Sequence, residues 1–442
     1  MKEVIKLRDK IQPFNKKISI EGDKSLSIRW ALLASQAKGK SRSYNLLRSE
    51  DVMSTLKCLK KLGTKINLKK KYCEIKSIGL NKFNYKSNIT LNAGNSGTLA
   101  RLIIGLLIHS NKQINIIGDK SLSKRDFLRI TRPLEKMGAK FKTNKGKLPI
   151  KVWGTKNPKP IKYIETKGSA QCKSSVMLAA LNTQGSTIIK SKKSRNHTEL
   201  LYKYLNIPIK IKKKKNYDLI KIQGVKKIKT LNYRIPSDIS SCAFFITLTI
   251  LSQKSQILIK NVNLNPTRTG FLKIIRLMGV NIFIKNQKNY KGEIIGDLEV
   301  KSQNNIKPII CPTKLNSAAI DEFLLIFLIA AKAKGISSFK NLSELNEKES
   351  PRLVWGSKIL NKIGIKTKTT KNSIKIYGNP KLKVKKKVVI KNFLKDHRVF
   401  MASVIAGITF GGPMWHIHDK DSINTSFPSF LKKISDFGVK IN

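Results

Sequence analysis

The chain has 442 residues, room for two or more domains of roughly 100–200 residues each, and its 40% hydrophobic and 26% charged residues are globular rather than disordered proportions. Lys and Arg number 89 against 26 Asp and Glu, a formal charge of +63, yet only 14 of those cations are Arg and they are scattered along the chain, which argues against a nucleic-acid groove. The most apolar stretch, Phe323 to Ala331, falls far short of the roughly 20 residues of a membrane helix, and the start, MKEVIKLRDK, carries no apolar core of a targeting peptide.

In chain order, a strand-like start at Val4–Leu7 leads to an apolar helix, SLSIRWALLASQA from Ser25. An amphipathic helix follows, with Val52, Met53, Leu56, Leu59 and Leu62 on one face, and it ends at Gly63 before the β-like piece TKINL. The same sequence of elements then recurs. Apolar helices open at Ser96, Ser169, Ile239, Asp321 and His397, and amphipathic ones end at Met137-Gly138, Leu205-Asn206, Met278-Gly279, Ile363-Gly364 and Phe437-Gly438. Gly, or Asn at 206, suits the left-handed residue that terminates a helix. Helices apolar almost all round belong at the centre of a domain. One unit reads strand, buried helix, strand, outer helix, strand, strand. The fold class is therefore α/β (α+β), with six βαβαββ repeats divided three per domain. The expected domains are 22–235, and 1–21 joined with 236–442, with the active site in the cleft between them and the two termini meeting. Cys58, Cys73, Cys172, Cys242 and Cys311 are odd in number and form no CxxC, so they read as reduced thiols of a cytoplasmic protein.

The residues opening the six apolar helices are polar: Asp23-Lys24-Ser25, Asn95-Ser96-Gly97, Ser169-Ala170-Gln171, Ser237-Asp238, Asp321-Glu322 and Asp396-His397-Arg398. Any one of these mouths reads as an ordinary capped helix. Three per domain, pointing one way, make an anion site from unpaired N–H groups and helix dipoles. Lys24, Arg29, Arg101 and Arg398 lie at or just inside the mouths, and Arg125, Arg195, Lys348 and Arg352 sit in loops nearby. Such a set implies multiply charged small anions as ligands.

Nine segments carry a more specific likeness: GDKSLSIRWALLAS (22–35), AGNSGTLARL (93–102), GDKSLSKRD (118–126), GSAQCKSSVMLAALNT (168–183), NPTRTG (265–270), IDEF (320–323), EKESPRL (347–353), DHRVFM (396–401) and TSFPSF (425–430). In their order and in register with the repeats, they resemble the 5-enolpyruvylshikimate-3-phosphate synthase family over essentially the whole chain. The resemblance implies a two-domain, inside-out α/β barrel-like fold. It implies transfer of the enolpyruvyl group of phosphoenolpyruvate to the 5-hydroxyl of shikimate 3-phosphate, without metal or organic cofactor. It places Lys24, Ser25, Arg29, Ser169, Ala170, Gln171, Arg195, Asp321 and Lys348 on shikimate 3-phosphate. Lys24, Gly97, Arg125, Gln171, Arg352 and Arg398 would surround phosphoenolpyruvate. Asp321, Glu349, Lys24 and His397 are the catalytic candidates, with Asp321 taking the hydroxyl proton and Glu349 serving the methylene carbon. The expected partners are these two metabolites, with no nucleic acid and no membrane, and the expected state is a monomer.

Three positions depart from the family pattern. Pro351 replaces an acid and is expected in the first turn of a helix capped by Ser350. Asp126 stands where Pro is common and is expected to pair with Arg125. Thr425 occupies a position where some members carry a Lys. The sister reaction on UDP-N-acetylglucosamine is disfavoured by Lys24-Ser25 in place of Lys-Asn and by the lack of Cys between Lys112 and Lys124. His416 and His418 share a strand face, but no third metal ligand is evident beyond Asp419 or Asp421.

Overall fold

The computed structural model describes residues 4–442 and groups them into two units. One unit comprises 22–236 with 289–293; the other takes the stretch ending at Glu21 together with 237–288 and 294–442. Each has its own apolar core. No described helix is long and apolar enough to cross a membrane.

The second repeat shows the motif most plainly. Strand Ile89–Asn92 pairs in parallel with Ile114–Ile117 across the buried helix Gly97–Leu107. The outer helix Leu128–Lys136 follows, and the hairpin Lys140–Asn144 and Lys147–Trp153 returns antiparallel to complete four strands. A parallel pair needs a crossover, and an apolar helix supplies one that is covered by its own sheet. Lys162–Glu165, Ser186–Lys192, Ile209–Lys213 and Tyr217–Gln223 repeat the arrangement around the buried helix Ala170–Ala180.

Two repeats exchange their first strands. Tyr233–Arg234, at the end of the 22–236 segment, pairs in parallel with Lys38–Tyr44, the strand that follows the buried helix Lys24–Ala34. Asn15–Ser19 pairs in the same way with Gln256–Asn263, which follows the buried helix Ile239–Leu251. The chain therefore threads each unit with strands placed far apart in sequence.

The last two repeats are abbreviated. In the fifth, built around helix Phe323–Ala331, the first strand shrinks to a single bridge between Ile310 and Ser338. Pro308 and Pro312 flank Ile310 and offer no N–H for a longer ladder. In the sixth, around helix His397–Phe410, the outer helix is only Phe430–Ser435. The expected closing strand at 439–442 forms no ladder of its own. Instead Ile5–Leu7 pairs with Trp415–Ile417, and Lys6 exchanges backbone hydrogen bonds with Asn442 at 2.6 and 3.3 Å.

The helix ends follow their local chemistry. The Gly or Asn just past each outer helix (Gly63, Gly138, Asn206, Gly279, Gly364 and Gly438) has positive φ, from +56° at Asn206 to +106° at Gly138. At the first five, the next residue's N–H reaches back to close the last turn, as Thr64 does to the Leu59 carbonyl at 3.0 Å. The central helices are apolar because they are surrounded. All nine residues of Phe323–Ala331 are buried, each large side chain contributing about 1.5–3 kcal/mol. Against that background the buried charges Arg29, Lys173, Arg268, Arg352 and Asp396 stand out.

Candidate active site

In the 22–236 unit the mouths of three buried helices are laced together. Asp23 accepts from the Leu26 N–H at 2.8 Å and starts the first helix. The Lys24 ammonium lies 2.9 Å from the Asp51 carboxylate on the neighbouring outer helix. Arg29 is buried, which a guanidinium tolerates only with its donors satisfied. Its Nε donates to Thr198 Oγ1 at 2.9 Å, Nη2 to Ser174 Oγ at 3.2 Å and Nη1 to the Ser25 carbonyl at 3.1 Å. Ser174 belongs to the third buried helix, so these bonds join its first turns to those of the first.

Ser96 caps the second helix and Ser169 the third, through the N–H groups of Leu99 and Cys172 at 3.2 and 3.3 Å. Arg101 Nη1 donates to Gln171 Oε1 at 2.5 Å, and Gln171 Nε2 donates to Thr98 Oγ1 at 3.0 Å. The Arg101 guanidinium also lies 5.5 Å from the Phe127 ring centroid. Burial, and then the like charges of Arg125 and Arg129, pull the Arg101 pKa down to about 10, which leaves it charged at neutral pH. Arg125 Nη2 lies 3.4 Å from Asn95 Oδ1, and Asn95 Nδ2 donates to Asp119 Oδ2 at 2.6 Å. Arg195 is half-buried in the loop before helix His197–Tyr204, the helix that provides Thr198. The result is an end of the unit rich in cations and helix N-termini.

The other unit gathers both signs. Arg352, 2% exposed, is the hub. It donates Nε to Asp396 Oδ2 at 2.8 Å, Nη2 to Asp396 Oδ1 at 3.2 Å and to Glu349 Oε2, and Nη1 to Asp321 Oδ1 at 3.2 Å. Burial alone would lower its pKa, but the carboxylates of Asp396, Glu349 and Asp321 together hold it above the ordinary value. Lys348 Nζ stands 3.7 Å from Asp321 Oδ1, and Arg398 Nη1 donates to the Asp321 carbonyl at 3.0 Å. Arg398 Nη1 also lies 3.9 Å from Glu322, which accepts from Ser240; Ser240 accepts from Arg268 at 2.9 Å, and Arg268 reaches Asp238 at 3.2 Å. The mouths of the fourth, fifth and sixth helices thus form one connected polar network. His397 Nδ1 is 3.3 Å from Thr425 Oγ1, which donates to the Ser422 carbonyl at 2.9 Å.

The predicted residues therefore fall into two clusters. Lys24, Ser25, Arg29, Gly97, Arg125, Ser169, Ala170, Gln171 and Arg195 lie in one unit, and Asp321, Lys348, Glu349, Arg352, His397 and Arg398 in the other. Two local expectations change. Ser350 does not cap the helix Arg352–Lys362: Pro351 takes the cap position, and the Ser350 hydroxyl and N–H both donate to Asp396 Oδ2, at 2.9 and 3.2 Å. Asp126 turns its carboxylate to the Leu128 N–H at 2.8 Å and to Arg129 at 3.7 Å, so it starts a helix. Thr425 serves His397. Sequence reasoning did not assign the partners Asp51, Ser174, Thr198, Arg268 and Asp396. Asp396 was visible within DHRVFM, and Arg268 within NPTRTG, but their roles depend on residues distant in the chain. Among the described residues no group of three or more His, Cys, Asp or Glu could hold a metal ion. A pocket of about 400 Å³ beside Arg129, Tyr163 and Glu165 contains none of the predicted site residues.

A sequence profile described as EPSP synthase (3-phosphoshikimate 1-carboxyvinyltransferase) matches residues 8–434. The chain belongs to this family. It is 38% identical over 426 residues to the 3-phosphoshikimate 1-carboxyvinyltransferase of Vesicomyosocius okutanii, covering 96% of each chain. The enzyme of that name from Petrotoga mobilis is 37% identical over 423 residues, 95% of this chain and 96% of its own. A solved EPSP synthase from Acinetobacter baumannii superposes with a TM-score of 0.88 at 31% identity, covering 99% of each chain. The enolpyruvyl transferase NikO of Streptomyces tendae, with a TM-score of 0.77 at 12% identity over 100% of this chain and 98% of its own, shares the fold alone. Membership of the family agrees with the inside-out repeat architecture, in which sheets enclose buried helices.

Proposed function

We propose that both clusters serve the family's reaction, transfer of the enolpyruvyl group of phosphoenolpyruvate to the 5-hydroxyl of shikimate 3-phosphate with release of phosphate. The cation-rich mouths suit the phosphate and carboxylate of shikimate 3-phosphate. Lys24, Ser25, Arg29, Ser169, Ala170, Gln171 and Arg195 would hold it, with Lys348 and Asp321 completing its contacts. Lys24, Gly97, Arg125, Gln171, Arg352 and Arg398 would surround phosphoenolpyruvate. Addition to the enol double bond needs a proton at C3 and attack by oxygen at C2, and elimination then expels phosphate from the tetrahedral adduct. Asp321 would take the 5-hydroxyl proton and Glu349 would exchange the proton at C3. Lys24 would assist as an acid, and the guanidiniums would stabilise the departing phosphate. His397, the fourth catalytic candidate, stands beside Thr425 at the sixth helix mouth.

One observation carries this reading. Arg352 holds Asp321 and Glu349, the two proposed proton carriers, on a single buried guanidinium that Asp396 fixes from behind. Replacing Asp321 by Ala removes the base and leaves Arg352 its other two carboxylates. Phosphate release dependent on shikimate 3-phosphate is expected to fall by about 10²–10⁴-fold, with circular dichroism unchanged; a rate within threefold of wild type (roughly 0.6 kcal/mol) would overturn the assignment.

The reading extends to a monomer in the reducing cytoplasm. All five cysteines are free and buried, and burial pushes Cys58 and Cys311 up to about 11 and Cys73 to about 12, so none of these three is poised for oxidation. Light scattering on the purified chain tests the monomer.

A further inference from the structure

The first turn of helix His197–Tyr204 places three buried polar residues in succession, and the scheme above uses only the middle one. His197 Nδ1 lies 2.6 Å from Glu293 Oε1 with both side chains 0% exposed, and Glu199 Oε1 lies 2.6 Å from Lys173 Nζ on the third buried helix. Burying such pairs costs solvation that their attraction offsets only in good geometry, so mere space-filling is a poor account of them. Between them Thr198 accepts from Arg29 Nε, and Arg195 lies two residues before His197.

Glu293 opens the strand Glu293–Lys301, just past the turn at Lys291 and Gly292, and the segment 289–293 groups with the 22–236 unit. Gly292 has φ +90°, and a Cβ there would stand 2.9 Å from the Leu200 carbonyl oxygen. The Lys291 ammonium lies 5.6 Å from the centroid of the Tyr204 ring. The Tyr290 hydroxyl accepts from the Arg234 N–H at 3.0 Å. The Glu293 Oε1 contact at Nδ1 fixes the His197 ring in one orientation.

We infer that Glu293 is a positioning residue for shikimate 3-phosphate binding. Through His197 it sets the start of helix His197–Tyr204, and with it the Thr198 that orients Arg29 and the loop that carries Arg195. The Lys173–Glu199 pair pins the following residue to the third buried helix. This inference rests on the proposed role of Arg29 and Arg195, and its test separates the two.

Shikimate 3-phosphate binding by titration calorimetry, steady-state kinetics and thermal melting are measured on the full chain and on Glu293→Ala, Glu293→Gln, Gly292→Ala, Arg29→Ala and Arg195→Ala. Glu293→Ala is expected to raise Kd and KM for shikimate 3-phosphate about tenfold, with kcat and KM for phosphoenolpyruvate within about twofold. Glu293→Gln keeps an acceptor and should recover most of the loss. Gly292→Ala displaces the turn without altering charge and should give the same selective rise if Glu293→Ala does not fold. A lower melting temperature with unchanged Kd, or equal damage to both substrates without rescue by Gln, overturns the role of Glu293. Unchanged binding in Arg29→Ala and Arg195→Ala overturns the assignment beneath it, whatever Glu293 does.

Discussion

Gly97 opens the second buried helix where a side chain would crowd a guanidinium: an added Cβ would stand 2.9 Å from Arg125 Nη1. Gly97→Ala must therefore displace that guanidinium while leaving the helix, for which Ala is the better former, intact. The expected outcome is a rise of about tenfold in KM for phosphoenolpyruvate with little change in kcat or melting temperature. Initial-rate measurements check it, and an unchanged KM would show that Arg125 does not hold this substrate. At this scale the sequence was legible where a residue's role is local. Asp23, Ser96 and Ser169 cap helices, as their type and position announce. It was not legible where the role is a partnership. Nothing near Asp396 signals that it anchors Arg352, 44 residues away, and nothing near Arg29 points to Thr198, 169 residues on. Ser350 looked like a cap because Ser usually is one, but a buried carboxylate competes for its hydroxyl more strongly than a helix end does.

Among the elements, repeated helix stops were the clearest signal, because left-handed termination needs Gly or Asn and little else. The sheet that each exchanged strand completes was hidden, since a short strand carries no mark of the sheet it joins. The positive charge also acquires a local meaning. Five of the strands at sheet edges, Lys65–Leu68, Lys140–Asn144, Ile209–Lys213, Ile282–Tyr290 and Thr367–Thr369, carry exposed lysines. Charged edges discourage pairing with another chain. The strand Gln256–Asn263 bulges between Ile259 and Val262, and Asp297 holds the bulge by accepting from Lys260 and from the Asn261 N–H and Asn286 Nδ2, each of the latter at 2.8 Å. Burial alone would raise the Asp297 pKa, but these donors bring it below the usual value. Its stabilisation is then complete above about pH 4, the unfolded value, and is lost as pH falls through the folded one. Asp297→Asn should cost about 1–2 kcal/mol at neutral pH. Denaturant midpoints should show that difference shrinking below about pH 4; a difference constant down to pH 3 (about one unit below the usual Asp value) would contradict the ionic role.

For the molecule as a whole, the sixfold period gave the plan, and the exchanged strands give its consequences. The segment 22–236 contains three repeats whose first sheet is completed by its own Tyr233–Arg234. Expressed alone, it is expected to melt cooperatively and to bind shikimate 3-phosphate about tenfold or more weakly than the full chain, without turnover. Calorimetric scanning and titration check this, and a fragment with no transition would show that the three repeats are not self-sufficient. The opposite holds for the strand Ile5–Leu7, which pairs with Trp415–Ile417 and exchanges backbone hydrogen bonds with Asn442. On a ribosome working at about 5–20 residues per second, Ile5 and Leu7 emerge about 20–80 seconds before those neighbours exist. Throughout that interval the two apolar side chains wait for the strand that pairs with them, and removal of Asn442 would strip Lys6 of two backbone hydrogen bonds.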